Sequence, residues 1–192
     1  GVFAVVFLLY SGRTITRAAD WKDQFTLFGK DVKKSDKSAH MRLYWGLALR
    51  DKGDEYERAN IKEQNWVKRL ENDQQYFDWT WKAIKQFKKG IEIYPQYADC
   101  YEQLGLLYDK IGVKINDMSY RDTAEYYYLE CLRNIPSKAT ANSNLAKIYY
   151  ERNEIQKAKQ FYLAAVYFDP LLTDAYFNLG STYGTLAMYD SS

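Results

Sequence analysis

The sequence predicts an all-α protein, a solenoid of stacked antiparallel helix hairpins, and three observations support this. Each of the three prolines is followed after six residues by a motif of the form Tyr/Asn-x2-Leu-Gly/Ala-x2-Tyr. Twelve residues before each proline lies an alanine, and four residues after that alanine lies an aromatic. The second and third prolines are one regular period apart, and such self-similarity is typical of stacked repeats. The motifs begin at Tyr101, Asn142 and Tyr176, and the pairs are Ala83 with Phe87, Ala124 with Tyr128 and Ala158 with Tyr162.

Each motif predicts one helix with a single buried face, because its residues recur at i, i+3, i+4 and i+7. The small residues Gly105, Ala146 and Gly180 should allow a neighbouring helix to approach closely. Replacing Gly180 by a larger side chain such as leucine should overpack its helix contact. The prolines should mark where one hairpin ends and the next begins, since proline fixes φ and lacks an N–H. The first two prolines are one period plus seven residues apart, and the addition lies between Tyr108 and Ala124.

This pattern resembles the tetratricopeptide repeat (TPR) family, whose signature is W/Y-x2-L-G-x2-Y followed by A-x3-F and a proline, with a period of about 34 residues. The resemblance covers most of residues 39–189 and implies a right-handed superhelix with an extended concave surface. We predict a TPR domain over residues 38–192, whose last repeat stops after its first helix and leaves an apolar face without a partner. The predicted repeats span about 39–95, 98–136 and 139–170, with a partial repeat at 173–189.

The first of these repeats contains a long insertion. Gly46 stands where the other repeats have Gly105, Ala146 and Gly180, and Trp45 stands where they have leucine. Residues 54–75 carry ten charged side chains and no proline or glycine. We interpret them as helical extensions joined by a loop on a solvated surface. A dedicated partner-binding insertion is the alternative.

The amino-terminal run GVFAVVFLLY is uncharged and apolar over ten residues, about half of the roughly 20 needed to cross a bilayer. It lacks a basic region ahead of it and a small-residue cleavage site, so a signal peptide fits poorly. We predict that residues 1–12 are the end of a transmembrane helix and that residues 13–37 are a juxtamembrane linker and helix. A buried core helix is the alternative.

Residues 11–40 resemble the segment between the last membrane span and the first repeat in the transmembrane and TPR O-mannosyltransferase family and its bacterial relatives. One departure is Asp36, which stands where that family has proline. The resemblance implies that the chain is the extracytoplasmic carboxy-terminal arm of a glycosyltransferase that uses lipid-linked sugar, with the catalytic core in a membrane portion before residue 1. The matching residues are Arg13, Thr14, Asp20 to Asp23, Thr26 to Phe28, Asp31, Val32, Ser38 and Ala39.

The composition argues against chemistry by this chain itself. A net charge of +2 produces no electrostatic field that would attract nucleic acid. His40 is the only histidine, no nucleophile stands at a motif spacing from it, and two cysteines are too few for the common zinc patterns. We therefore predict no catalytic residues, metal or cofactor here, and no small-molecule substrate. Cys100 and Cys131 are interpreted as core residues, and a disulfide between them as the alternative.

Binding is predicted on the concave face, which the first helices should line. Each of the three Leu-Gly/Ala pairs is preceded by a residue with an amide side chain, which is asparagine in two cases and glutamine in one. In the first repeat, Tyr44 stands at this position. Resemblance to the TPR superhelix of O-GlcNAc transferases implies that such amides grip a peptide backbone, which suits a group with two donors and an acceptor. The alternative is that the amides tie helices together. The predicted binding residues are Gln103, Asn144, Asn178, Asp99, Asp174 and Phe177.

Two functions therefore remain open from the sequence. The first is the peptide-binding or scaffolding arm of a membrane glycosyltransferase, attached to the membrane through its amino-terminal segment, with the repeats in the periplasm or a lumen. The second is a free-standing TPR adaptor, and a cytoplasmic location stays open. In both the partner is a protein or peptide.

Overall fold

A computed structural model describes residues 23–190 of the chain, with side chains up to residue 188. Within these residues the protein is entirely helical, which confirms the predicted all-α class. The predicted membrane-helix end at residues 1–12, and the family-matching residues up to Lys22, lie outside the described residues. None of the helices between residues 23 and 190 combines the length and apolar character needed to cross a bilayer.

The described helices fall into two compact units that divide between Ile93 and Tyr94. The first unit contains α1 (Gln24–Lys34), α2 (Ala39–Lys62) and α3 (Trp66–Ile93). The second unit contains α4 (Ala98–Ile115), α5 (Met118–Asn134), α6 (Ala139–Glu151), α7 (Ile155–Phe168) and α8 (Thr173–Asp190). Helices α2, α4, α6 and α8 are the first helices of their hairpins, and α3, α5 and α7 are the second helices.

The first unit is a long hairpin of α2 and α3 with α1 packed on α2. A Cβ at Gly46 would lie 2.4 Å from the Phe87 ring, so these helices touch where the repeat pattern places glycine opposite an aromatic. Helix α1 packs beside this contact, where the rings of Phe25 and Trp45 lie 4.9 Å apart. Helix α2 runs on to Lys62 and α3 begins at Trp66, which confirms that residues 54–75 are helical extensions joined by a short loop.

Four turns of the same kind separate the hairpins. In each, the N–H of the fourth turn residue donates to the C=O of the first at 3.1 Å, and a proline is the second residue in three of them. In the first turn, Ser35 to Ser38, Asp36 takes the place of proline. Phe28 lies eight residues before Asp36, and Phe87 likewise lies eight residues before Pro95. Helix α1 therefore occupies the place of a second helix, which the sequence pattern did not reveal because both its alanine and its proline are missing.

The second unit stacks two complete hairpins and a further first helix. A Cβ at Gly105 would lie 2.7 Å from the Tyr128 ring, as predicted for a close helix contact. The corresponding Ala146 is fully buried. The prediction for Gly180 is wrong: a Cβ there would meet no atom of the described residues within 4 Å. No second helix follows α8 among residues 23–190 to supply the aromatic that covers this position in the other hairpins.

The seven inserted residues lengthen both helices of the first hairpin in this unit. Helix α4 has 18 residues against 13 in α6, and α5 has 17 against 14 in α7. The turn after α4 contains Asn116 and Asp117, with Asn116 in the left-handed region at φ 55°. Five added residues in α4 and three in α5, with one residue fewer in the turn between them, account for the seven.

Candidate peptide-binding groove

A groove of about 310 Å³ lies between the first helices α6 and α8. Three of the predicted binding residues line it, Asn144 from α6 and Asp174 and Asn178 from α8. Both asparagines are half-buried and Asp174 is exposed. The fold brings these three side chains to one depression, because equivalent positions of two stacked first helices face the same way.

Buried leucines fix the direction of the two amides. Leu145 is fully buried and Leu179 is 8% exposed, so each anchors its helix in the core. The residue before each leucine is rotated by about 100° around the helix, which places Asn144 and Asn178 at the edge of the buried face. A half-buried amide at such an edge has part of its hydrogen-bonding capacity open to a ligand.

Asn144 also lies close to a buried phenol. Burial raises the pKa of Tyr128 well above its ordinary value, and the Asn144 amide opposes that shift. The Tyr128 hydroxyl nevertheless has no hydrogen bond of good geometry among the described residues. Asn144 is therefore placed to serve either as a ligand group or as a polar neighbour of Tyr128, the two roles that the sequence left open.

The remaining predicted residues do not line this groove. The carboxylate of Asp99 pairs with Lys138, whose Nζ lies 2.5 Å from Oδ1 of Asp99 and 3.3 Å from Oε2 of Glu102. These ion pairs join α4 to the turn that precedes α6, so Asp99 is tied within the fold. Gln103 is half-buried on α4, and Phe177 is 75% exposed on α8.

Four further groove residues were missed as binding candidates by the sequence interpretation. Thr140 and Lys147 stand on α6 at the i−4 and i+3 positions relative to Asn144, so helical spacing could have found them, whereas Ser143 is the adjacent residue and spacing does not mark it. Leu172 belongs to the proline turn before α8, and no periodicity marks it.

A neutralised charge cluster borders the groove at Lys147. Asp109 of α4 is 7% exposed and accepts from Nε of Arg121 at 3.3 Å, and Nζ of Lys147 lies 3.6 Å from its other oxygen. Arg121 also pairs with Glu151 at the end of α6. Two acids and two bases therefore meet here and neutralise one another.

The two cysteines are free, buried thiols. Burial raises the pKa of both Cys100 and Cys131 to about 12, so neither is a thiolate near neutral pH. Within residues 23–190 no group of histidine, cysteine and acidic side chains is arranged to hold a metal ion.

Comparison with known proteins agrees with the repeat pattern. Residues 139–170, which form the hairpin of α6 and α7, match the tetratricopeptide repeat family. A search of curated protein sequences found no match.

Solved structures resemble this chain over most of its length. A thermophilic TPR protein from Thermus thermophilus superposes with a TM-score of 0.57 at 18% identity, covering 81% of this chain and 69% of that one. MamA superposes with a TM-score of 0.58 at 16% identity, covering 97% of this chain and 84% of that chain. The first TPR domain of human RPAP3 gives 0.52 at 18% identity, covering 77% and 96%. The fold is therefore the TPR fold.

Proposed function

We propose that the second unit binds extended polypeptide through the groove between α6 and α8. The observation that carries this proposal is that Asn144 and Asn178, equivalent residues of neighbouring first helices, line one groove with partly exposed side chains. An amide pairs with both the N–H and the C=O of a peptide bond, so it recognises backbone regardless of sequence.

The electrostatics of the groove favour weak and sequence-tolerant binding. Asp99 and Asp109 are already paired within the fold, and Lys147 contributes to one of those pairs. The lining itself contains one acid, Asp174, and one base, Lys147, so its net charge does not select an acidic or a basic peptide. The dependence of binding on salt should accordingly be small, because few exposed charge pairs would form with the ligand.

A structural relative supports a peptide as the ligand. The first TPR of RPAP3 has been solved bound to the HSP90 peptide SRMEEVD, and it superposes on 74% of this chain with a TM-score of 0.50 at 17% identity. That peptide ends in a carboxylate. The groove described above offers amides and hydroxyls, with Lys147 as its one cation and Asp174 as its one carboxylate. We therefore propose an internal, extended segment as the ligand in preference to a chain terminus.

The experiment is titration of an unstructured, uncharged peptide of about 12 residues, long enough to cross both helices. Asn144→Ala combined with Asn178→Ala should weaken binding by about 1–3 kcal/mol, because two hydrogen-bonding groups are lost. The matched control is Gln156→Ala with Gln160→Ala, two exposed amides on the second helix α7. Equal affinity of wild type and groove variant would refute the proposal. A large fall in melting temperature of the groove variant would show that the amides tie the helices together.

For the wider context we propose that this module is the extracytoplasmic arm of a multi-span membrane glycosyltransferase. The support is the resemblance of residues 11–40 to the corresponding segment of the O-mannosyltransferase family. A free-standing TPR adaptor is the alternative. Eight or more hydrophobic spans encoded upstream of Gly1 would favour the first proposal, and a start codon immediately upstream would refute it.

A further inference from the structure

The tip of the α2–α3 hairpin carries an exposed apolar cluster. It consists of Ile61 from the end of α2 and Trp66, Val67 and Leu70 from the first turns of α3, and we call it the apolar tip. The exposed fractions are 77% for Ile61, 72% for Trp66, 59% for Leu70 and 43% for Val67. The hairpin extends beyond the Gly46–Phe87 contact by several turns, so the cluster lies at its far end.

Polar side chains occupy the inside of the hairpin at this level. The Asn60 amide donates to Oδ1 of Asp73 at 2.9 Å and to the C=O of Arg69 at 3.2 Å, while Asn72 donates to Oδ1 of Asn60 at 2.9 Å. A helix pair ordinarily buries its apolar face and exposes its polar one. Here amides join the two helices, and the tryptophan and aliphatic side chains are left outside.

The tip is also held in a defined conformation. The Asn65 side chain accepts from the backbone N–H of Val67 at 2.9 Å and of Lys68 at 3.3 Å, and so caps the start of α3. The N–H of Asn65 donates to the Glu63 carboxylate at 2.8 Å, which closes the loop. Trp66 therefore begins a capped helix.

Four basic side chains surround the apolar tip. Arg58, Lys62, Lys68 and Arg69 are all exposed, whereas four of the six acidic side chains in residues 54–75 are half-buried and only Glu55 and Glu71 are exposed. None of the four basic side chains forms an ion pair within the part of the chain that the structure describes. Unpaired cations beside exposed apolar side chains define an amphipathic surface without an internal partner.

We propose that the apolar tip inserts into the interfacial region of an anionic membrane. Tryptophan with aliphatic neighbours partitions to the boundary between headgroups and acyl chains, and flanking lysine and arginine are attracted to anionic lipid. The cluster lies exposed at the end of a hairpin, and such a protruding apolar surface suits a deformable partner such as a membrane better than a rigid binding pocket. The proposal does not depend on the peptide-binding groove, which lies in the other unit.

The experiment is cosedimentation of the full chain with vesicles of phosphatidylglycerol and phosphatidylcholine, compared with vesicles of phosphatidylcholine alone. Wild type should bind the anionic vesicles, and salt at about 0.5 M should weaken binding because it screens exposed charges. Trp66→Ser with Leu70→Ser should reduce the partition coefficient at least about tenfold, since both apolar anchors are removed. The amino-terminal apolar run is the same in every variant, so the difference between variants reports on the tip.

The matched control replaces a tryptophan and a leucine elsewhere. Trp81, at 42% exposed on α3, and Leu163, at 41% exposed on α7, are changed together to serine, and this variant should bind vesicles as wild type does. Equal partitioning of wild type and tip variant would overturn the proposal. So would equal binding of wild type to neutral and anionic vesicles. Self-association that disappears in the tip variant without any vesicle binding would overturn it in favour of a second copy of the chain.

Discussion

Single residues decide how firmly each turn between hairpins is fixed. Asp36 holds the second turn position where Pro95, Pro136 and Pro170 stand, and the hydrogen bond across the turn is the same length in all four. The C=O of Asp36 accepts from Arg42 at 3.0 Å, a contact that a change of side chain leaves intact. Asp36 therefore occupies the turn position that proline occupies elsewhere in the chain.

We expect Asp36→Pro to stabilise the first unit by about 0.4–1 kcal/mol, because proline lowers the entropy of the unfolded chain where its native conformation is already suitable. Chemical denaturation of wild type and variant measures the free energy of unfolding. Asp36→Ala is the control, and it should not stabilise. A destabilised proline variant would mean that Ser35, at ψ 51°, cannot move to the extended conformation that precedes proline.

Equivalent glycines should respond oppositely to the same substitution. A Cβ at Gly105 collides with the buried Tyr128 ring, whereas Gly180 has open space, and neither has a positive φ. Gly105→Ala should destabilise by about 1–2 kcal/mol through overpacking. Gly180→Ala should stabilise helix α8 by about 0.5–1 kcal/mol, because alanine is the better helix former. Thermal melts check both, and destabilisation of similar size at the two sites would contradict this account.

Neighbouring helices are also joined by charged contacts at the turn end of α6. The Tyr149 hydroxyl donates to the Glu125 carboxylate of α5 at 2.6 Å, and Arg152 pairs with Glu125 and with Asp122. Burial alone would raise the pKa of Glu125, but Tyr149 and Arg152 outweigh it and leave that pKa below its usual value. The carboxylate thus ties one hairpin to the next.

The lowered pKa predicts a pH-dependent effect of Glu125→Gln. An ionised carboxylate bound more tightly in the folded state stabilises the protein above its unfolded pKa, and this contribution disappears as the pH falls through the lower folded pKa. We expect the variant to lose about 1–2 kcal/mol near pH 7 and progressively less in acid. Melting temperatures across pH, with the exposed Glu92→Gln as control, test this. A loss that stays constant with pH would exclude an ionic contribution.

For the molecule as a whole, the sequence predicted the fold better than the site. Proline spacing and the Gly105 and Tyr128 positions predict hairpins, because these residues act locally and recur. Gly180 follows the same pattern, yet its environment depends on a helix that is not among the described residues. The Lys138 and Arg121 ion pairs were not predicted either, since these charged residues do not recur at the equivalent positions of the other repeats.

The lengthened hairpin of α4 and α5 has a consequence for protein engineering. Its additional residues lie at the Asn116 turn, away from the Gly105–Tyr128 contact and from the proline turns that connect neighbouring repeats. Hairpin length and repeat stacking are thus separable design variables. A peptide tag or a heptad added at this turn would lengthen one helix hairpin and leave its packing against the neighbouring hairpins unchanged. An addition near the proline turns would instead disturb the stacking of every hairpin that follows.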